Sequence, residues 1–210
     1  MGSNMETRKI VILATALVAS LSFGGAVLYH SLEGPDPIAI NIQGLPTIGQ
    51  GEIVLVIFED FRCMNCRIFN EKIFPQIVSR YIETGRVRYA FVPLAFMEGS
   101  KPLASAALNV YDQSPDRFLL FIHELFSSQA NTRNEILRVA QRVGGIDLHN
   151  LSRAIDLHLY HDVLEKNLNW AKTLMGRQFG TPALFINGIA TSTASFEAVE
   201  QRIQQVQKRR

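Results

Sequence analysis

Apolar and polar positions along the chain follow two rhythms, and the change from one to the other marks the elements. Ile53 to Phe58 is six apolar residues in a row, mostly β-branched or aromatic. So short a run predicts a strand buried on both faces rather than a helix. Glu59 and Asp60 break it. After a short polar stretch the spacing turns helical, with Ile68, Phe69, Ile73, Phe74, Ile77 and Val78 three or four residues apart. Pro75 lies inside this pattern and predicts a kink rather than an end, because Ile77, Val78, Tyr81 and Ile82 keep one face apolar. Gly85 stops the helix. From Arg86 to Phe96, Val87, Tyr89 and Phe91 alternate with Arg88 and Ala90, which predicts a second strand ended by Pro93. Strand, long helix and strand together predict a parallel pair joined by a right-handed crossover.

From about residue 101 to 175 the pattern is helical throughout. Ser114-Pro115-Asp116 reads as a helix start with a cap and a proline at the first position. Phe118, Leu119, Ile122, Leu125 and Phe126 form that helix's buried face. Thr132 with Glu135 forms a capping box, and a further helix covers His161 to Met175 with Gly176 as its C-cap. A strand at Ala183–Ile186 follows, then Asn187-Gly188, the strongest short hairpin signal, and a return strand over Ile189–Thr193. Ser195 caps a last amphipathic helix bearing Phe196, Val199, Ile203 and Val206. The all-α block lies between strands, so it is an insertion into one α/β domain. That domain covers residues 49–210. Upstream, residues 31–48 read as a linker, with a weak edge strand at Ile38–Ile42 and turn material at Pro46–Gly51 leading into the central strand.

The first 30 residues differ in character. Ile10 to Tyr29 is twenty residues without a charge, preceded by Arg8 and Lys9. That is long enough to span a bilayer as a helix and longer than the ~7–15-residue apolar core of a signal peptide. The reading favoured is an uncleaved anchor. Ser22, Gly24 and Ala26 leave signal-peptide cleavage as the rival. The basic flank leaves the N-terminus cytoplasmic, so the body is exported to a compartment that permits disulfides. Composition changes this little. The chain has 210 residues, 47% of them hydrophobic, and a formal net charge of +2. Its basic residues are dispersed, which gives no reason to invoke nucleic acid.

The candidate chemistry sits where the central strand gives way to its helix. Cys63 and Cys66 are the only cysteines in the chain, with Met64 and Asn65 between them. A helix's first turn offers unpaired N–H groups and the positive end of its dipole, so a thiolate at Cys63 is stabilised. Arg62 and Arg67 flank the pair and are expected to favour the anion further. Cys66, one turn on, faces inward. The division of labour this predicts is an attacking Cys63 and a resolving Cys66. A structural disulfide and half a zinc site compete with redox chemistry. Zinc wants about four ligands, there is no second CxxC, and nothing places the His158/His161 pair near Cys63. Metal binding is therefore not expected. Glu59 or Asp60 could accept a proton from Cys66, but a solvated or capping carboxylate is the preferred reading of both. His123, His149 and His158 read as surface or core residues. Thr181-Pro182 stands at the start of the Ala183 strand, where proline is tolerated only in a first or edge position.

The segments FEDFRCMNC, IFPQIVSRYIETGRVRYAFVPLAF, ALNVYDQSPDRFLLFIHELFSSQ and FGTPALFING, in this order and spacing, resemble the DsbA-like proteins of the thioredoxin superfamily over almost everything after Gly49. The resemblance implies a thioredoxin fold with a helical insertion. It also implies thiol–disulfide exchange on reduced exported proteins in the bacterial envelope, with recharging by a membrane quinone-linked partner of the DsbB-like or VKOR-like kind. Cys63 matches the family's nucleophile and Cys66 its partner. Pro182 matches a cis-proline packed against them, and Thr181 the residue whose backbone pairs with an extended substrate. Met64 and Asn65 stand where strong oxidases of the group carry proline followed by histidine or an aromatic, which implies a milder oxidant. The buried carboxylate that thioredoxins carry six residues before the first cysteine is here Ile57. No bound cofactor is implied, because the cysteine pair is itself the redox group. The segment before the domain is too short for the dimerisation unit of disulfide isomerases, which implies a monomer.

Overall fold

Strand β2, Ile53–Asp60, lies at the centre of a five-stranded sheet. The computed structural model describes residues 15, 17–20 and 36–208. The expected anchor over residues 10–29 otherwise falls outside the described residues. Among the described residues, no helix is long and apolar enough to cross a membrane. The sheet order is β1-β3-β2-β4-β5, with β1 at Thr47–Ile48, β3 at Val87–Leu94, β4 at Ala183–Ile186 and β5 at Ile189–Thr191. β2 and β3 are parallel over their whole length, Ile53 opposite Val87 and Asp60 opposite Leu94. β4 runs antiparallel to β2 and β5 antiparallel to β4.

The apolar run of β2 is buried on both faces, as its composition requires. Ile53, Leu55 and Ile57 face one core together with Tyr89 and Phe91 of β3. Val56 and Phe58 face another with Ala90, Val92 and Phe185. The first core is covered by α1 (Met64–Lys72), α2 (Phe74–Ile77), the terminal α8 (Phe196–Lys208) and most of the helical block. That block comprises α3 (Ser100–Gln113), α4 (Phe118–Ser128), α5 (Arg133–Val143), α6 (Leu148–Asp156) and α7 (His161–Met175). α7 crosses to the second face, where Trp170 meets Phe58 edge-on at 4.9 Å between ring centres.

Several expectations are corrected. Ile38–Ile42 forms no strand; it is a strap, with Ile40 and Ile42 packed on the second core. The edge strand is instead β1, inside the supposed turn material, pairing with β3 at two residues. Pro93 does not end its strand but lies within β3, opposite Glu59. The N–H of Phe91 is donated to Pro46 O on the β1 side, so Pro93, two residues on, turns its missing donor to the same edge beyond the last β1 pair. The helix after the cysteines is interrupted at Ile73 and restarts with Pro75 in its first turn, then closes with a π-helical turn over Val78–Ile82. Ser114 caps nothing: a 3₁₀ turn over Pro115–Arg117 precedes α4, and the Ser114 hydroxyl is donated to Gly145 O. The Thr132–Glu135 capping box and the Ser195 cap form as expected.

Candidate active site

The end of β2 and the start of α1 deliver the two cysteines. Cys63 is the N-cap of α1, with extended backbone, and its N–H is donated to Asp60 O at 3.0 Å. Its side chain is half-buried, whereas Cys66 is wholly buried. Thr181 and Pro182 come from the loop before β4 and are joined by a cis peptide bond. The Cys63 thiol is donated to Thr181 O at 3.3 Å. The structure therefore brings together the four residues expected to do the chemistry, from opposite ends of the domain's sequence.

Electrostatics separate the two sulfurs. The Cys63 thiol is lowered to about 5, chiefly by a hydrogen bond from Cys66. Burial opposes this, and the Thr181 side chain and the backbone N–H groups of Cys66 and Asn65 assist it. The helix tip contributes as expected, but the neighbouring thiol contributes more. Cys66 is pushed far up by burial first, then by its bond to Cys63 and the nearby Glu59. One sulfur is thus a reachable thiolate and the other a buried proton carrier. Arg67 does not serve the anion as expected, since its guanidinium is held by Glu71 at 2.7 Å. Arg62 is exposed, and its fixed contact is its backbone N–H, donated to Asp60 Oδ1 at 2.9 Å.

Neither carboxylate is solvated, which corrects the preferred reading. Asp60 is fully buried and accepts from Arg62 N, Phe96 N, Met97 N and the Ser100 hydroxyl. It caps and ties three segments, as one half of that reading held. Glu59 is 1% exposed and points into the first core. Its Oε1 accepts from Asn70 Nδ2 at 2.6 Å, and its Oε2 has no hydrogen-bond partner. Asn70 was missed in the sequence; the only hint was a polar residue one turn after Cys66, on the helix's apolar side.

An open cleft of ≈ 530 Å³ runs beside the cysteines, lined by Asn65, Ile68 and Phe69 of α1, by Thr181 and Pro182, and by Ser192 and Thr193 after β5. The cleft lining contains no charged side chain, and Met64, next to Cys63, is 61% exposed, with Phe96 and Met97 also uncovered. His158 and His161 stack on each other at 4.3 Å in the α6–α7 junction. Among the described residues no group of three or more His, Cys, Asp or Glu could hold a metal ion.

Comparison with known proteins agrees with this geometry. A thioredoxin family model matches residues 46–205. Disulfide bond formation protein D of Bacillus subtilis is 27% identical over 176 residues, covering 78% of each chain. The solved structure of oxidised BdbD from Bacillus subtilis superposes with a TM-score of 0.73 at 25% identity, over 81% of this chain and 98% of that one. The DsbA structure from Chlamydia trachomatis gives the same TM-score and identity over 83% and 98%. With two cysteines poised at a helix tip against a cis-proline loop, the chain belongs to the thioredoxin family and is a DsbA-like thiol–disulfide oxidoreductase.

Proposed function

We propose that the protein is held in the bacterial envelope by its N-terminal segment and introduces disulfides into reduced exported proteins through Cys63 and Cys66. The observation that carries this reading is the contrast between a half-exposed Cys63 lowered to about 5 and a buried Cys66. A substrate thiolate attacks Cys63 Sγ of the disulfide form, the Cys63–Cys66 bond breaks, and Cys66 leaves. A second substrate thiolate then attacks the substrate sulfur of the mixed disulfide and expels Cys63. A low-pKa thiolate is the better leaving group, so release of the oxidised product is favoured. Thr181 and Pro182 supply a backbone edge beside Cys63 along which an extended substrate can pair, and Met64 and Asn65 border the attacked sulfur.

The uncharged stretch from Ile10 to Tyr29 behind Arg8 and Lys9 supports a membrane anchor with the domain outside. A membrane quinone-linked reductase of the DsbB or VKOR type would restore the disulfide, and the chain acts as a monomer without a bound cofactor. Equilibration of the pair against glutathione tests the direction. The expected potential lies between about −270 mV, as in thioredoxin, and about −120 mV, as in DsbA. In cells the pair is expected mostly oxidised. A pair found mostly reduced would instead make the protein a reductase or isomerase. Loss of all exchange in Cys63→Ser separates either from a module that only binds.

A further inference from the structure

Expelling Cys66 during exchange creates a charge problem. The departing sulfur is fully buried, and an anion there has no solvent to stabilise it. A proton must reach it as the Cys63–Cys66 bond breaks. Asp60 is an unsuitable source, because its oxygens are already occupied by four donors from the chain. Glu59 is the other carboxyl nearby. It lies on the same strand face as Ile57 but one step nearer the cysteines. It is buried among aromatic and aliphatic side chains, and no ion pair among the described residues involves it.

Its orientation is fixed from α1. Asn70 Nδ2 is donated both to Glu59 Oε1 at 2.6 Å and to Cys66 O at 3.0 Å. One amide therefore joins the carboxyl to the backbone of the resolving cysteine. The second carboxyl oxygen, Oε2, is left without a partner although fully enclosed, as are Asn70 Oδ1 and Tyr89 Oη. Unpaired buried polar atoms are uncommon and costly, and here two of them, Glu59 Oε2 and Asn70 Oδ1, fall on one hydrogen-bonded carboxyl–amide pair. The titratable groups that face Glu59 are Cys63 and Cys66 from α1 and Tyr89 from β3. Burial holds the Glu59 carboxyl well above the usual carboxylate range, and the Cys63 thiolate adds to this against the Asn70 hydrogen bond.

We propose that Glu59, oriented by Asn70, is the proton donor and acceptor for Cys66. When a substrate thiolate attacks Cys63, the Cys63–Cys66 bond breaks, its electron pair goes to Cys66 Sγ, and the Glu59 proton passes to that sulfur. Glu59 is then a carboxylate. When Cys66 attacks the mixed disulfide in the reverse step, its proton returns to Glu59. The negative charge brought by the substrate thiolate thus comes to rest on the carboxylate, where Asn70 Nδ2 donates to Oε1, rather than on the buried sulfur. Asn70 is a positioning residue, since it acts through Glu59. The inference rests on thiol–disulfide exchange at Cys63 and holds in either net direction.

Glu59→Gln keeps the shape and an acceptor for Asn70. Rapid acid quenching after mixing the oxidised protein with a thiol peptide reads the step in which Cys66 leaves. The expected result is a roughly tenfold or greater loss at neutral pH. The wild-type rate, corrected for peptide ionisation, falls as pH rises through the titration of Glu59, and that limb disappears in Glu59→Gln. Asn70→Leu shifts the limb without removing it. An infrared carbonyl band of a neutral carboxylic acid is expected in the oxidised protein at pH 7 and is lost in Glu59→Gln. Superimposable pH profiles for wild type and Glu59→Gln, or absence of the band, overturn the proposal. A wild-type protein that exchanges with no thiol overturns the reading on which it rests.

Discussion

Glu59 and Asp60 are consecutive, both buried, and opposite in condition. Asp60 serves the region behind the cysteines, where its two oxygens hold the turn at Arg62, the β3 exit at Phe96 and Met97, and the start of α3 at Ser100. Glu59 serves the region beneath α1, with one side-chain contact and one empty oxygen. Alternation along a strand sends neighbouring side chains to opposite faces, so one residue step separates a saturated site from an unsatisfied one. A saturated buried carboxylate holds structure together. An unsatisfied one keeps an oxygen available for proton exchange, and it is on this difference that the proton-transfer role is proposed for Glu59 rather than Asp60.

The largest expected effect breaks the comparison at Asp60. Asp60→Ala leaves four donors, the buried Ser100 hydroxyl among them, without their acceptor and is expected to cost ~3 kcal/mol or more in urea unfolding. Glu59→Gln, by contrast, should change stability by less than ~1 kcal/mol, because a desolvated carboxyl is replaced by a neutral isostere. Equal losses in the two variants would erase the distinction.

Next in size is the effect on Cys63. Alkylation of the reduced protein should show a midpoint near pH 5, where Cys63 titrates. In Cys66→Ala that midpoint should rise by more than one pH unit, because the strongest hydrogen bond to the thiolate is gone. The sign for stability follows from a lowered folded value. The extra stabilisation of the reduced form is complete above the ordinary thiol range near 8.5–9 and drains away as pH falls through about 5. Unfolding of the reduced wild-type protein across that range measures it. The smallest effect is expected at Arg67. Since Glu71 already holds its guanidinium at 2.7 Å, Arg67→Ala should move the Cys63 midpoint by only a few tenths of a pH unit, in keeping with the small worth of exposed ion pairs.

The part of this site that could be read from a local pattern was the buried apolar run followed by CxxC, which announces its structure through composition and spacing. The cis bond before Pro182 was implied only by the family resemblance, since proline at a strand's entry is compatible with either isomer. The parts that could not be read depend on which way a side chain points after long-range packing. Glu59 and Asp60 both follow the apolar run and look alike there; only the approach of Asn70 on one face and of Phe96, Met97 and Ser100 on the other makes them different. Arg67 looks well placed for Cys63, but Glu71, one turn along the same helix, holds it instead. The alternation at Ile38–Ile42 is real but is used for burial without a partner strand, while β1 is two residues long and too short to leave any rhythm.

Gly188 fixes where the chain enters the domain. Its φ is +79°, and a Cβ there would lie 2.0 Å from Ile38 O, so only glycine admits the strap beside the β4–β5 turn. Ile38 bonds to Gly188 O there, and Asn187 bonds to Val54 at the beginning of β2, whereas Cys63 follows that strand's other end. The backbone thus joins the domain at the pole remote from its reactive sulfur. The strap accordingly lends no side chain to the cleft beside the cysteines.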